Sequence, residues 1–315
     1  MAALADDASL LELAGVEARP GGSLVAVFID GRARRLTELA WTPGVALALR
    51  SVALSAEAID FPAASSLGAG RVMLSCIDRP VQLIDRRTGK VEEPGRAPAI
   101  AVVTPDGRHA VAAGDDGLSR HGIACPGGGP GTVPRVGPLH AMDLDDPSSL
   151  AIVPGDAEGH FSVVAGCYGA LAIVRVAAFG LDSEQLSGHL VHTAPLPYDP
   201  VRIVRPVPPV DGPGARIFVT DQGRAGLMAV SLTPGFVDRC PLADRGYGAI
   251  RHVVPRLDGR ECLVLTRDDT WRRWLPGAQV LKPMAELGGW PVLWHGAQGI
   301  VLDHERGLVR EVALA

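Results

Sequence analysis

Aromatic side chains are scarce: three Tyr, five Trp and six Phe make up 4% of 315 residues. A core short of large rings is built from aliphatic residues, so the placement of each ring becomes informative. Cysteine is equally thin. Cys76, Cys125, Cys167, Cys240 and Cys262 are odd in number, widely spaced and without a C-x-x-C pair. That argues against a disulfide framework or a zinc site and for free thiols in a reducing compartment. Lysine is nearly missing, because all but Lys90 and Lys282 of the 30 basic residues are arginine. With the Ala, Gly and Pro excess this reads as GC-rich, bacterial coding bias, so arginine abundance is no phosphate-binding signal. Positive net charge is lacking too. A formal charge of −5 gives no broad attraction to nucleic acid or acidic membranes.

Targeting signals are also absent from the N-terminal stretch, where Asp6, Asp7 and Glu12 stand in place of a basic and then apolar pattern. The expected location is the cytoplasm. One stretch, Ser162 to Gly180, imitates a membrane span, interrupted only by Arg175. Its Gly166-Cys167-Tyr168-Gly169 centre splits it into two runs of strand length, which predicts a buried hairpin.

Turn formers are abundant: 38 Gly and 26 Pro exceed a fifth of the chain and exclude a helical bundle. Their spacing is regular. From Ile100, IAVVTPDGRHAVAAGDDGLSRHGI reads as an apolar run, a Pro-Asp-Gly turn, a second apolar run, an Asp-Asp-Gly turn and a more polar strand. Asp-Gly between apolar runs is a hairpin signal, expected here as a type I′ turn. The same grammar starts at Gly15, Ile59, Leu150, Val201, Ile250 and Gly288, making seven units. Their second turns open at Asp30, Asp78, Asp115, Cys167, Asp221, Asp268 and Asp303, a mean period of about 45 residues. Four short strands at this period predict an all-β, seven-bladed β-propeller of mostly four-stranded antiparallel blades.

The PDGR-type turn, apolar strand and DDG turn resemble those of WD-repeat and YVTN-type propellers. The resemblance is one of pattern over nearly the whole chain. No unit carries the Trp-Asp dipeptide or Gly-His pair of true WD repeats. It implies a disc used mainly as a binding platform and sometimes as an enzyme. One domain over residues 1–315 is expected, with blades near 11–55, 56–95, 96–140, 141–195, 196–243, 244–285 and 286–315. The last blade is short of an outer strand, which residues near Ala2 to Leu11 are candidates to supply. Two connections exceed a minimal blade: 125–138, rich in Gly and Pro, is expected as an extended loop, and 181–200 as a short outer turn.

In such a blade, with strands a to d from the axis outward, the b–c turns and d–a connections share one face. The repeated Asp residues fall there, as turn caps before anything else. Tyr198 and Tyr247 occupy matching repeat positions on d–a connections, Tyr168 lies in a b–c turn, and Trp271 follows another. Exposed Tyr, Trp and Arg dominate binding hot spots, although Trp271 and Trp274 equally suit packing between blades. Arg202 and Arg251 take equivalent places early in strand a, and Asp60 sits near that place in its unit. They suit either a solvated channel lining or a clamp for an anionic group. His252 is expected on the opposite side of its strand from Arg251, toward the blade interior. His189-x-x-His192 lacks an acidic partner, and no G-x-S-x-G, Walker or dinucleotide motif occurs.

The leading expectation is therefore a platform engaging a protein or peptide partner through Tyr198, Arg202, Tyr247, Arg251, Trp271, Asp60 and Tyr168. The alternative is a hydrolase or lyase with a small anionic ligand at the channel mouth. No cofactor, nucleic acid or membrane partner is expected, with a metal in the channel left open.

Overall fold

The computed structural model describes residues 2–3, 12–30, 34–56, 63–66, 70–76, 79–93, 100–103, 109–114, 117–122, 149–154, 161–167, 170–176, 188–195, 201–204, 216–221, 226–233, 236–241, 250–278, 280–284, 287–303 and 305–314, with side chains for part of them. All regular structure among them is β, and every pairing with a described register is antiparallel.

After the two-residue strand β1 (Ala2–Ala3), the first sheet comprises β2 (Glu12–Ala18), β3 (Leu24–Asp30), β4 (Arg35–Thr42) and β5 (Ala46–Ala53). The second holds β6 (Ala63–Ser66), β7 (Arg71–Cys76), β8 (Arg79–Asp85) and β9 (Val91–Glu92). A three-stranded sheet follows, of β10 (Ile100–Val103), β11 (His109–Gly114) and β12 (Gly117–Gly122). The next contains β13 (Ser149–Pro154), β14 (Phe161–Cys167), β15 (Ala170–Val176) and β16 (Gly188–Pro195). Then come β17 (Val201–Val204), β18 (Arg216–Asp221), β19 (Leu227–Thr233) and β20 (Phe236–Pro241). The sixth sheet is β21 (Ile250–Pro255), β22 (Cys262–Thr266), β23 (Trp271–Trp274) and β24 (Lys282–Pro283). The seventh is β25 (Trp290–His295), β26 (Gln298–Asp303) and β27 (Leu308–Ala313), with β1 added beside β27.

Chain order equals spatial order in every sheet except at β1, which makes each a simple meander. Hydropathy explains the order of strands. Continuous apolar runs such as LVAVFI in β3 and CLVLT in β22 are buried on both sides and take inner positions. In the first sheet the last strand, β5, alternates between exposed and half-buried positions. The apolar stretch from Ser162 contains a hairpin, β14 against β15, with Cys167 opposite Ala170. Part of the connection expected as an outer turn after residue 181 is strand β16, because Leu190, Val191 and Thr193 supply apolar and β-branched residues.

The chain forms two compact units. One comprises Met1–Ala58, Arg86–Lys90 and Val204–Ala315; the other comprises Ile59–Asp85 and Val91–Ile203. In the second unit, sheets join through the Ser75 hydroxyl, which donates to the Ala101 carbonyl at 2.9 Å and accepts from its amide at 2.8 Å. Ser75 is fully buried, so this reciprocal pair satisfies a group whose desolvation would otherwise be costly.

In the first unit, successive sheets bury opposite faces. Cys262, Val264, Val253 and Trp274 of the sixth sheet pack with Phe218, Leu227 and Ala229. The other face puts Leu263 and Val254 against Trp294 and Leu314 of the seventh. The seventh in turn presents Leu293, Ile300, Leu302 and Val309 to Phe28, Leu39 and Trp41 of the first. The pleat explains this division, because neighbours along a strand face opposite ways. At the seventh sheet's edge, Ala2 pairs with Val309 and Ala3 with Leu308.

Among the described residues, charge is buried at two places in this unit. The Arg86 side chain, 5% exposed, donates to Glu17 at 2.6 Å and to Glu38 at 2.7 Å. Burial would lower its pKa, but the hydrogen bonds and charges of the two glutamates outweigh that and raise it. Nearby, Gly89 has φ +70°, and a Cβ there would overlap the Ala53 carbonyl oxygen. The second place is Glu261, which accepts from both Arg256 and Arg273. Both guanidinium groups lie over the Trp294 ring, 5.7 and 5.6 Å from its centroid.

Turn geometry departs from the hairpin expectation at Asp258-Gly259. The Gly259 amide donates to the Arg256 carbonyl at 2.8 Å, so Leu257 and Asp258 are the central residues; neither has positive φ, and Gly259 follows them with φ +68°. A type I′ turn would require it at both central residues. Here the Asp258 side chain explains the difference. It accepts from the Arg260 amide at 3.0 Å and from Arg256, a local bond that holds the turn without inverting its backbone. Burial would raise the Asp258 carboxyl, but these bonds win and hold it below the usual carboxylate range.

Candidate binding site

The β22–β23 turn is built by Asp268. Its carboxylate accepts from the Thr266 hydroxyl at 2.6 Å, from the Thr270 amide at 3.4 Å and from the Arg272 guanidinium. The Thr266 bond first, then Arg272, pulls this carboxyl down to about 2. At Asp303 the turn is capped similarly, through the Arg306 amide at 3.1 Å. In these two turns the repeated aspartate performs the structural role that turn chemistry demands.

Its neighbour Asp269 behaves differently. At φ +57° it occupies a left-handed position, which Asp tolerates better than most side chains and glycine adopts without strain. Its side chain is 71% exposed and pairs with the 53% exposed Arg251. Arg251 reaches it because of a bulge in β21: Ile250 faces Thr266 and His252 faces Leu265, leaving Arg251 as the extra residue.

That bulge also corrects the expectation for His252, which is exposed rather than turned into the interior. Strict alternation fails where two residues oppose one. His252, Leu265 and Trp271 share a row across the sheet, on the side that meets the seventh sheet. His252 lies edge-on to Trp271 at 6.1 Å and tilted to Trp290 at 5.3 Å, while the two tryptophans meet edge to face at 5.4 Å. Both tryptophans are half-buried. Three rings in mutual contact are thus concentrated at one rim, in a chain with few rings to spend.

Of the residues expected at the site, Arg251 and Trp271 are described, and both belong to this rim. Arg202 lies on β17, with only its backbone described. Tyr198, Tyr247, Tyr168 and Asp60 lie outside the described residues. Trp274, the alternative packing tryptophan, is fully buried edge-on to Phe218 at 6.1 Å. Sequence reasoning missed His252, Asp269 and Trp290. The available signal was a tryptophan opening the next unit, directly after Gly288 and Gly289.

No other chemistry gathers here. Cys262 is fully buried, and burial first, then the Glu261 charge, pushes its thiol well up, which makes it inert. Among the described residues, no three His, Cys, Asp or Glu side chains converge as metal ligands, and no helix is long and apolar enough to cross a membrane.

Known structures resemble the whole chain. The β-propeller domain of Cps50 (Swd1) from Myceliophteria thermophila aligns at TM-score 0.58 and 16% identity, over 96% of this chain and 97% of that one. A proposed 6-phosphogluconolactonase of Bacteroides fragilis aligns at TM-score 0.55 and 12% identity, over 95% and 86%. No protein-family model and no curated protein sequence matches. The protein is of the β-propeller type, and at such identities the likeness carries the fold alone.

Proposed function

We propose that the protein is a closed, seven-bladed β-propeller forming one cytoplasmic domain, and that it acts as a platform for a protein or peptide partner. The observation that carries this reading is the half-exposed ring cluster of His252, Trp271 and Trp290 beside the exposed Arg251–Asp269 pair. Tryptophan and arginine at a partly desolvated rim are the residue types that anchor interfaces. Tyr198, Tyr247, Tyr168, Arg202 and Asp60 belong to the same proposed face through the repeat.

The test is affinity capture from the native host with wild-type protein and with Trp271→Ala, both checked for an unchanged unfolding midpoint. A partner retained by the wild type and lost with the variant supports the platform. Partners captured equally by both would sink it.

The likeness to a proposed 6-phosphogluconolactonase keeps a second reading, a hydrolase or lyase binding a small anion through Arg202 and Arg251. Arg251 is already engaged by Asp269, which weakens that assignment. Turnover of a phosphorylated lactone, abolished by Arg251→Gln, would establish it over the platform.

A further inference from the structure

The charge pattern around the rings speaks to the chemistry of the partner. Arg251 pairs with Asp269 and Arg272 with Asp268 at one turn, and Arg267 of that turn adds one further positive charge, on a chain whose total is −5. The pairings decide where that charge is available. Arg272 is committed to Asp268, whose carboxylate is also held by Thr266. Arg267 is exposed and makes no hydrogen bond or ion pair among the described residues. Arg251 is paired only through an exposed contact with Asp269, the kind worth about 0–1 kcal/mol and readily exchanged.

Asp269 therefore acts as a placeholder. It holds a left-handed backbone position that glycine would fill without strain, and there it presents a carboxylate to Arg251. We propose, building on the platform reading, that the rim at Arg251, Arg267, His252, Trp271 and Trp290 binds an acidic peptide segment. An Asp or Glu carboxylate of the ligand replaces Asp269 on Arg251, and an adjacent apolar side chain covers the rings. Charge complementarity selects this occupant: both aspartates of the turn are already paired with arginine, so a basic segment would meet Arg251 and Arg267 while an acidic one would be drawn to them.

The experiment is selection of a random twelve-residue phage-displayed peptide library on the full chain, followed by dissociation constants for synthesised winners. Winners rich in Asp or Glu next to Leu, Phe or Trp are expected. Their binding should weaken at least tenfold with Arg251→Gln or Trp271→Ala and several-fold with Arg267→Gln. Asp269→Gly should tighten it by roughly two- to fivefold, because it releases Arg251. Arg267 and Asp269 are exposed, so those two variants remain informative if Trp271→Ala does not fold. Winners that depend on Trp271 but are basic or uncharged, or that weaken with Asp269→Gly, overturn the acidic ligand and leave the platform standing. Failure to find any peptide dependent on Trp271, Arg267 or Arg251 overturns both.

Discussion

At the residue scale, Asp268 and Asp269 show how adjacent identical side chains take different work. The Asp268 carboxyl is lowered to about 2 by Thr266 and then Arg272, below the unfolded value near ~3.9. Because the folded value is the lower one, its contribution to stability is fully present above about pH 4 and is lost as pH falls through about 2. Carbon-13 NMR titration should place its midpoint near 2, and Thr266→Val should move it upward by removing the first-ranked bond. For Asp269 the backbone matters more. Asp269→Gly and Asp269→Ala both delete the ion pair, but only glycine suits the left-handed position, so urea unfolding should find the glycine variant more stable by about 1 kcal/mol. The DDT spelling of this turn was readable in the sequence. The Arg251 contact was not, because it depends on a bulge that shifts one residue out of register.

At the element scale, buried ions pin turns to neighbouring strands. Arg86 reaches Glu17 and Glu38 across 69 and 48 residues of sequence, and no pattern in the repeat announces that pairing. Arg86→Ala removes the buried cation that Glu17 and Glu38 share, leaving Glu38 its pair with Arg50 at 3.4 Å, and should cost about 3 kcal/mol in denaturant unfolding. An intact midpoint would show that water reaches those carboxylates. Gly89→Ala places a Cβ against the Ala53 carbonyl at a positive φ, so a loss exceeding about 1 kcal/mol is expected by the same measurement. Strand positions, by contrast, were legible from apolar runs and Gly-containing turns. β16 was the exception, since its neighbourhood is rich in turn formers that masked a β-branched core.

At the scale of the whole molecule, a closed ring of seven blades, as proposed, is expected to unfold as one cooperative unit. Calorimetry should then show one transition with equal van't Hoff and calorimetric enthalpies, whereas two separated transitions would count against a single domain. Deleting residues 1–11 removes β1 from β27, exposes a strand edge, and should lower the midpoint and promote association. The sequence by itself determined the all-β class, the repeat and most hairpins, because those rest on contacts between residues near in the chain. Only the tertiary structure decided which sheet faces meet, where Arg86 and Glu261 find their counter-ions, and how Arg251, His252, Trp271 and Trp290 share a rim. Those choices depend on register and side-chain direction between distant segments, and a single bulged residue is enough to redirect them.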